Sequence, residues 1–454
     1  MKKKLVMSMV AVATAMSLVA CGGAGAATTA PAAGAEAATE AEADDSADNS
    51  AAEAEVEAGD VAITILNSKS EVQTQFEEMA EEYSAKTGVD VEVYCADTDT
   101  TVASQVATRY ASNDPYTITM VDPKDIYALA DDYAYDLKDQ DWASHTTLGI
   151  EVNGKLAGFP VCVEARGIIY NADAIEKITG ETFDPASVAT LDEFQALLDK
   201  LVAGGMEKPV GILSEYWSLG AHYAAEIYEL QSDPDAFVND LLEGNVDLMS
   251  NDKFNSLFDT FDTLIEYNYA RGAAANAERE TSEMMLAEGE IAFMFGGNWD
   301  WSEINQYDYT ENMGIMPIPQ NVTDGTNGKL VGGGSKYVFI DSSDATTDAQ
   351  RKAALDFLNW VVFDAEGNAF LTEKCALVPA FDNIDSSALD PLSSSVKKYA
   401  DGGNLIASYN YLPDDHMTVV GQEIMQKYLD EKIFREELAT QIQDYFKGAT
   451  PIAH

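Results

Sequence analysis

Cysteine is scarce in this chain, and the spacing of the few that occur excludes two kinds of stabilised site. The 454 residues contain four cysteines. One is Cys21, and the other three, Cys95, Cys162 and Cys375, are far apart and form no CxxC or Cys/His pattern. Neither a disulfide framework nor a zinc site is therefore indicated. We expect the last three cysteines to be buried apolar thiols that carry no chemistry.

Basic residues are also few. The chain has 27 lysines and arginines against 78 aspartates and glutamates, which gives a formal net charge of −51. A surface of this sign repels phosphates and carboxylates at long range, so nucleic acid and strongly anionic ligands are poor candidates as partners. Neutral or cationic ligands fit better, although the charge also serves to keep a secreted protein in solution.

Phosphate-binding and nucleotide-binding fingerprints are missing as well. The glycine-rich stretch at residues 331–336 lacks the GxxxxGK[ST] spacing of a phosphate loop, and a flexible loop explains its glycines better. No pattern of a nucleophile triad or a metal site is present either. We therefore expect no cofactor and no metal.

Long apolar runs are absent except at the start of the chain. Leu5 to Ala20 is apolar and follows three lysines, but it is too short for a permanent membrane span. The sequence from Leu18 to Cys21 resembles a bacterial lipobox. The resemblance implies a signal peptide over residues 1–20, cleavage before Cys21, and acylation of its thiol, which anchors the protein to the outer face of the cytoplasmic membrane. An ordinary signal peptide ending at an incidental cysteine is the alternative.

The segment that follows, residues 21–60, has a tether-like composition. From Gly22 to Asp60 it contains no basic residue, no aromatic residue and no large apolar residue except Val56. Such a sequence cannot bury enough apolar surface to offset its ordering entropy, so we expect a disordered acidic tether. An Ala/Glu-rich helix over residues 32–57 is the alternative, which Gly34 and the polar run at 44–50 disfavour.

The remainder of the chain is typical of an α/β protein. Roughly 390 residues follow the tether, more than one hydrophobic core usually organises, so we expect two lobes. A β-branched run at Val61–Leu66 predicts a strand, an apolar stripe from Val72 to Tyr83 predicts a helix that Gly88 ends, and alternation at Val89–Val93 predicts a second strand. This βαβ order favours a parallel sheet covered by helices.

Further elements follow the same alternation of strands and helices. Strands are predicted at 117–121, 167–170, 291–295 and 336–340. Helices are predicted at 122–130, from Thr190 with a capping box to Glu193, at 353–363, at 419–429 and at 431–446. Ligands of such sheets bind beyond the carboxyl ends of strands. The residues that follow the predicted strands are polar and aromatic: 67–70, Asp122, Lys124, Glu164, Arg166, Tyr216, Trp217 and 298–301.

Four segments together resemble family 1 extracellular solute-binding proteins of ABC importers, the group that contains maltose-binding protein. Residues 154–171 resemble the family's crossing strand "GK…P…VEA…YN", and residues 289–302 resemble its strand and aromatic turn "GKAAM…GPWAWS". Residues 355–365 with 377–379, and the opening βαβ at 61–93, resemble two further segments. Asn298 replaces the family's proline, Met120 stands near a family aromatic position, and Tyr116 replaces an acid, which leaves the particular sugar open.

The resemblance implies a fold and a transport function. The fold is α/β, periplasmic-binding-protein-like, with two lobes that each hold a central sheet flanked by helices and are linked by hinge strands. The lobes are 61–163 with 331–377, and 164–330 with 378–454, and the chain crosses between them near 163–166, 330–334 and 378–381. The protein is then a monomer that closes on a sugar or oligosaccharide and delivers it to the transmembrane subunits of an ABC permease.

Candidate ligand-binding residues come from both arguments. A sugar ring needs flat aromatic platforms and planar hydrogen-bonding groups around its edge. Two predicted loops supply these groups: Tyr216 and Trp217 on one, and Trp299, Asp300 and Trp301 on the other. By resemblance we add Glu164, Lys69, Tyr411 and His416, and by their position after the third predicted strand we add Asp122 and Lys124.

Several of these candidates have structural alternatives. Trp301 fits core packing equally well, Glu164 could instead pair with Arg166, and Lys69 could be an exposed turn residue. Trp142 and Trp360 are interpreted as structural only.

Two other functions remain open from the sequence. Paired carboxylates such as Glu164 and Asp300 could act as the acid and second carboxylate of a glycoside hydrolase, if they lie roughly 5 to 10 Å apart. A receptor for a polyamine or another cation would suit the negative charge, but it needs several acids convergent in one cleft. We expect a binding protein and not an enzyme.

Overall fold

The structure is a computed structural model that describes residues 61–97 and 100–450. The predicted signal peptide (1–20), the predicted acylation at Cys21 and the predicted tether (21–60) lie outside the described residues. Within the described part of the chain, no helix combines the length and the apolar character needed to cross a membrane.

The strands of the described residues form one continuous mixed sheet. They are β1 (Ala62–Asn67), β2 (Asp90–Cys95), β3 (Ile118–Val121), β4 (Ile150–Val152), β5 (Lys155–Asn171), β6 (Val210–Ile212), β7 (Phe293–Gly297), β8 (Met313–Met316), β9 (Leu330–Ile340), β10 (Val378–Pro379) and β11 (Leu405–Ile406). The main order is β2-β1-β3-β9-β5-β7-β6, with β4, β8 and β10 also paired to β5, and β11 paired to β9.

Helices cover this sheet. In the described residues they are α1 (Gln73–Thr87), α2 (Val102–Ala111), α3 (Pro123–Tyr133), α4 (Ala172–Thr179), α5 (Leu191–Ala203), α6 (Glu226–Glu229), α7 (Pro234–Glu243), α8 (Asp252–Tyr267), α9 (Arg279–Ala287), α10 (Trp301–Ile304), α11 (Asp348–Phe363), α12 (Ala365–Ala369), α13 (Pro391–Asp401), α14 (His416–Thr418), α15 (Gln426–Leu429) and α16 (Arg435–Gly448). Three segments are π-helical: Ser218–Tyr223, Phe370–Lys374 and Val419–Met425.

Predictions that depend on residues close together in the sequence are confirmed. The opening β1-α1-β2 unit is parallel, and α1 ends at Gly88 in the left-handed conformation with φ 78°. Thr190 and Glu193 form the predicted capping box at the start of α5. The last predicted helix begins at Arg435 instead of 431, because Glu431 adopts a positive φ of 56° that interrupts helical backbone.

Strands β5 and β9 are much longer than the apolar runs that predicted them, and they join the two halves of the sheet. They pair antiparallel over Phe159–Arg166 and Val331–Val338. The glycine run predicted as a flexible loop therefore lies inside β9, which corrects that expectation. A Cβ on Gly332 would lie 2.3 Å from the carbonyl oxygen of Glu164, so close approach of two backbones explains the glycine.

The three predicted crossing segments lie side by side. Gly333 and Gly334 of β9 pair with Glu164 and Val163 of β5, and Val378 of β10 pairs with the other side of Val163. The sheet is therefore continuous, because β9 pairs with β3 on one side and β5 pairs with β7 on the other. The lobe boundaries drawn from the sequence stay a prediction.

Buried apolar residues pack on both halves of the sheet. One cluster surrounds β1, α1 and α11 and contains the fully buried Trp142, with Trp360 partly buried at its edge. Another surrounds β6, β7, α8 and α16. Cys162 and Cys375 are buried as expected, but Cys95 is exposed because it ends the edge strand β2.

Candidate functional site

Strand β5 carries two almost fully buried charged residues near its centre, Glu164 and Arg166. Residues two apart point to the same face of a strand. Each nevertheless pairs with a different partner. Glu164 pairs with Lys69, whereas Arg166 pairs with Glu229 and lies 3.6 Å from Glu226. The ion pair considered from sequence, Glu164 with Arg166, is therefore replaced by two separate sets of pairs.

Lys69 reaches β5 from the turn after β1. The side-chain amide of Asn67 fixes this turn: its oxygen accepts from the Lys69 amide at 2.9 Å and its nitrogen donates to the Lys69 carbonyl at 2.9 Å. The Nζ of Lys69 then donates to Glu164 at 2.5 Å and to Glu71 at 2.6 Å. Burial alone would lower the pKa of Lys69, but the two carboxylates raise it well above its usual value. Lys69 is thus a buried, charged residue, and the alternative of an exposed turn residue is wrong.

Asp122 and Lys336 extend this arrangement along the sheet. Asp122 follows β3, and its carboxylate accepts from the Nζ of Lys336 on β9 at 2.5 Å. Burial raises the pKa of Asp122, but the ammonium of Lys336 offsets this and lowers it overall. The pKa of Lys336 is also affected by two other charges, since Lys69 lowers it and Glu164 raises it. We call Asp122, Lys336, Glu164 and Lys69 the charged row, in which each ammonium already has a carboxylate partner.

Three aromatic rings, Trp217, His222 and Trp299, meet in a group that we call the aromatic trio. The ring centroids of Trp217 and His222 are 5.4 Å apart, edge to face, and those of His222 and Trp299 are 4.7 Å apart. All three side chains are partly buried. The group therefore offers both apolar ring surface and ring nitrogens, the mixture expected of a surface that binds a sugar.

The helix that carries Trp217 and His222 is π-helical from Ser218 to Tyr223. The amide of Ala224 donates to the carbonyl of Leu219 at 2.9 Å, a bond that spans five residues. Residues five apart then lie on one face, whereas an α-helix would separate them. This turn brings His222 to Trp217.

A second π-helical segment packs against the first through two glycines. A Cβ on Gly220 would lie 2.4 Å from the carbonyl oxygen of Met417, and one on Gly421 would lie 2.0 Å from that of Tyr216. Such distances are far inside van der Waals contact, so only glycine permits this approach. Tyr216, itself partly buried, is held by its backbone at this contact.

The turn after β7 carries Trp299 and is bound to β5. The side-chain oxygen of Asn298 accepts from the amide of Ala165 at 3.0 Å, next to Glu164. The indole of Trp299 folds over Gly297, where a Cβ would lie 2.3 Å from the ring. Glycine at 297 and asparagine at 298 thus fix the tryptophan beside the charged row.

The side chain of Asp300 stabilises the turn that carries Trp299. Its carboxylate is fully buried and accepts from the amide of Gly297 at 2.9 Å and from Arg279 at 2.9 Å. Arg279 also donates to Glu283 at 2.8 Å, and its guanidinium lies 5.5 Å from the ring centroid of Trp217. Burial raises the pKa of Glu283 to about 10, with the nearby Asp300 adding to the effect, so Glu283 is protonated at neutral pH.

Two other predicted residues, Tyr411 and Lys124, take part in contacts between the segment after β11 and helix α3. The ring of Tyr411 lies 5.1 Å from that of Tyr127, and the Nζ of Lys124 donates to Asp414 at 3.1 Å. Lys124 also lies 3.3 Å from Asp125. These contacts join the segment after β11 to the helix that follows Asp122.

Two predicted site residues lie in the core. Trp301 is buried at the start of α10, with its ring 5.0 Å from that of Tyr309, which agrees with the core alternative. His416 is buried, and its Nε2 hydrogen-bonds the hydroxyl of Tyr228 at 2.9 Å. Burial lowers the pKa of His416 to about 3, so its ring is neutral. We leave both residues, and the buried Asp300, out of the ligand-contact set.

The structure thus brings five of the residues predicted from the sequence together in two groups, which also contain residues that the sequence did not mark. The charged row and the aromatic trio contain Lys69, Asp122, Glu164, Trp217 and Trp299. The missed members are Lys336 and His222, with Arg279 beneath them. Lys336 was interpreted only as the start of a strand, and no sequence signal marks the π-helical turn that positions His222. Lys124 and Tyr411 lie together at the α3 contact.

The sequence of residues 78–400 matches the family described as bacterial extracellular solute-binding protein. No curated protein shows a significant sequence match to the chain.

The fold is shared with solved structures of low sequence identity. RafE in complex with raffinose is 19% identical with a TM-score of 0.70, covering 85% of this chain and 99% of that one. A chitin oligosaccharide binding protein is 16% identical with a TM-score of 0.67, covering 85% and 98%. A sugar transporter protein from Bacillus licheniformis, in complex with stachyose, is 17% identical with a TM-score of 0.63, covering 85% and 99%. These likenesses identify the periplasmic-binding-protein-like fold.

Proposed function

This chain belongs to the family of bacterial extracellular solute-binding proteins, and from that membership we propose that it binds a neutral sugar or oligosaccharide and delivers it to an ABC permease. The ligand binds between the lobes 61–163 with 331–377 and 164–330 with 378–454, against the aromatic trio and the charged row. Closure of the lobes about the crossing strands buries the ligand.

The aromatic trio carries this proposal. Trp217 and Trp299 come from separate segments and meet through His222, with ring distances of 5.4 and 4.7 Å. They lie beside the buried polar residues of β5, to which Asn298 binds the Trp299 turn. Apolar ring faces next to fixed polar groups match the C–H faces and hydroxyl edges of a sugar.

The pairing of charges supports a neutral ligand. Lys69 and Lys336 each hold a carboxylate within 2.6 Å, and Arg279 is bound by the carboxylate of Asp300. An anionic ligand would have to displace these carboxylates, and a polyamine would need acids that the cations already occupy. Breaking a buried ion pair leaves an uncompensated buried charge, so both exchanges are unfavourable.

Proteins of the same fold support the oligosaccharide class. The similar structures include a complex with raffinose, a chitin oligosaccharide binding protein and a complex with stachyose. For this chain the class is a proposal, since each identity lies below 20%.

Binding without hydrolysis is part of the proposal. Of the two carboxylates that sequence reasoning offered to a glycoside hydrolase, Asp300 is fully buried and held by Gly297 and Arg279. Glu164 is held by Lys69 at 2.5 Å. A general acid must reach the glycosidic oxygen, and the burial of Asp300 with both of its oxygens bonded, together with the ion pair of Glu164, disfavours that role for either carboxylate.

The cellular location of the protein is proposed from the sequence of residues 1–60. The lipobox-like sequence ending at Cys21 supports attachment by lipid to the outer face of the cytoplasmic membrane, with residues 21–60 as the tether. We propose a monomer that meets the membrane through this anchor and the permease only.

A thermal-shift screen of the purified protein tests the ligand class. Raffinose, stachyose, maltotriose, xylotriose, chitotriose and spermidine are compared at millimolar concentration. A ligand present at about 100 times its dissociation constant stabilises by roughly 2.7 kcal/mol, so a neutral oligosaccharide should raise the melting temperature. Stabilisation by spermidine alone would favour the cation receptor, and release of monosaccharide from any of the sugars would show hydrolysis.

A further inference from the structure

Three neighbouring side chains carry buried polar atoms that lack a hydrogen-bond partner. They are the Nε1 of Trp299, the Nδ1 of His222 and the Oε2 of Glu215. Buried polar groups in native proteins are almost always paired, because an unpaired one keeps its full desolvation cost. Three such atoms in one neighbourhood therefore point to a molecule that binds them.

The three atoms come from two segments that are in contact. His222 and Trp299 are in contact, with ring centroids 4.7 Å apart. Glu215 precedes the π-helical turn that carries His222, and its carboxylate interacts electrostatically with Arg279 and Asp300, which lie beneath Trp299. The atoms thus come from the two segments that hold the aromatic trio.

The chemistry of the three atoms is complementary to hydroxyl groups. An indole N–H only donates a hydrogen bond, an ionised carboxylate only accepts one, and a neutral imidazole nitrogen does either according to its tautomer. A hydroxyl group donates one hydrogen bond and accepts others, so it can bind beside any of the three. A carboxylate ligand could not satisfy Glu215, and an ammonium could not satisfy the indole.

The surroundings of His222 keep it uncharged. Its burial, and the positive charges of Arg166, Lys336 and Arg279, lower the pKa of His222 well below its usual value. The imidazole therefore remains a neutral hydrogen-bonding group at physiological pH, suited to a neutral hydroxyl.

We propose that Trp299, His222 and Glu215 form a hydroxyl-recognition subsite that binds hydroxyl groups of the sugar. The subsite rests on the proposed function and narrows it: the sugar presents free hydroxyl groups here, and His222 is a specificity-determining residue. Trp299 contributes through its N–H as well as its ring surface.

Isothermal titration calorimetry of single variants tests the subsite, using the tightest binder among raffinose, stachyose, maltotriose, xylotriose and chitotriose. His222→Phe keeps a ring and removes both nitrogens, and we expect its affinity to fall at least tenfold. His222→Gln restores a polar group and should recover part of the loss. Trp299→Phe removes the indole N–H and should weaken binding about tenfold.

Trp142→Phe is the matched control. The Nε1 of Trp142 is also buried without a partner, but Trp142 is in the core against Phe159, 4.8 Å away. Its replacement removes the same group and should leave affinity unchanged. Thermal unfolding of each variant without sugar separates a folding defect from a binding defect.

The outcomes distinguish the subsite from the function. If the wild-type protein binds none of the five sugars, the proposed sugar-binding function fails and the subsite fails with it. If the wild type binds a sugar and His222→Phe binds that sugar equally well, the function stands and the subsite is overturned. A loss in His222→Phe that His222→Gln partly restores, with Trp142→Phe unaffected, supports the subsite.

Discussion

Trp217 and His222 are five residues apart, yet their rings meet edge to face with centroids 5.4 Å apart. A π-helical turn produces this contact, because its hydrogen bond from Ala224 to Leu219 spans five residues. In an α-helix these two side chains would point to different faces. The contact places a histidine between the two tryptophans of the candidate site.

Replacement of Trp299 by alanine should weaken sugar binding without unfolding the protein. The change removes apolar surface and a ring that contacts His222, at a cost of about 2 to 4 kcal/mol, or about 30- to 1,000-fold in affinity. Trp142→Ala should instead lower the free energy of unfolding by about 3 to 5 kcal/mol, because its side chain is fully buried. Calorimetry and unfolding curves separate the two effects. Normal binding by Trp299→Ala with early unfolding would place Trp299 in the core.

Replacement of Gly297 by alanine should displace the Trp299 indole. The added Cβ would lie 2.3 Å from the ring, which must move. We expect roughly tenfold weaker sugar binding and a loss of about 1 to 3 kcal/mol in stability from overpacking. Gly328→Ala is the control, since a Cβ there has nothing within 4 Å. Equal affinity of Gly297→Ala and the wild type would show that the indole position is unimportant.

Replacement of Glu283 by glutamine should stabilise the protein at high pH. Burial and the nearby Asp300 raise the pKa of Glu283 to about 10, so folding keeps a proton that the unfolded chain loses above pH 4.5. This group therefore favours the folded state below pH 4.5, and its contribution is lost as pH rises toward 10. The neutral amide avoids that loss, by on the order of 1 kcal/mol or more at pH 8. Urea unfolding at pH 4 and pH 8 measures the effect, and a Glu283→Gln variant less stable than wild type at pH 8 would contradict it.

Replacement of His416 by glutamine should reduce the acid sensitivity of the fold. Burial lowers the pKa of His416 from 6.5 to about 3, so the unfolded chain binds a proton that the folded chain does not. Stability is complete above pH 6.5 and falls as pH drops toward 3, by on the order of 2 kcal/mol at pH 5. Denaturant unfolding of both proteins at pH 7 and pH 5 tests this. The same loss in wild type and variant would exclude His416 as a source of it.

Replacement of Cys21 by serine should abolish membrane attachment, because the lipid bond requires a thiol. The folded domain should be unaffected, which circular dichroism of the released protein verifies. Fractionation of cells that express the wild type and Cys21→Ser provides the measurement. Equal amounts of both proteins in the membrane fraction would refute the lipid anchor.

The sequence by itself determined the elements whose causes are local. Alternation in β1 and β2, the apolar stripe of α1 with Gly88 at its end, and the Thr190 capping box all depend on residues within a few positions of one another. The family resemblance predicted the three crossing segments, and these segments are neighbours in the sheet.

Only the tertiary structure decided which side chains meet. The length of β9 depends on pairing with β5, which is distant in sequence, so its glycine run was interpreted as a loop. The buried Asp300 is bonded to Arg279 and the buried His416 to Tyr228, and both partners are distant in the sequence. His222 reaches the aromatic trio through a π-helical turn packed on a second one, and helical periodicity in the sequence does not reveal such a turn. Local patterns specify backbone elements, whereas long-range packing sets the position and the charge of each side chain in the site.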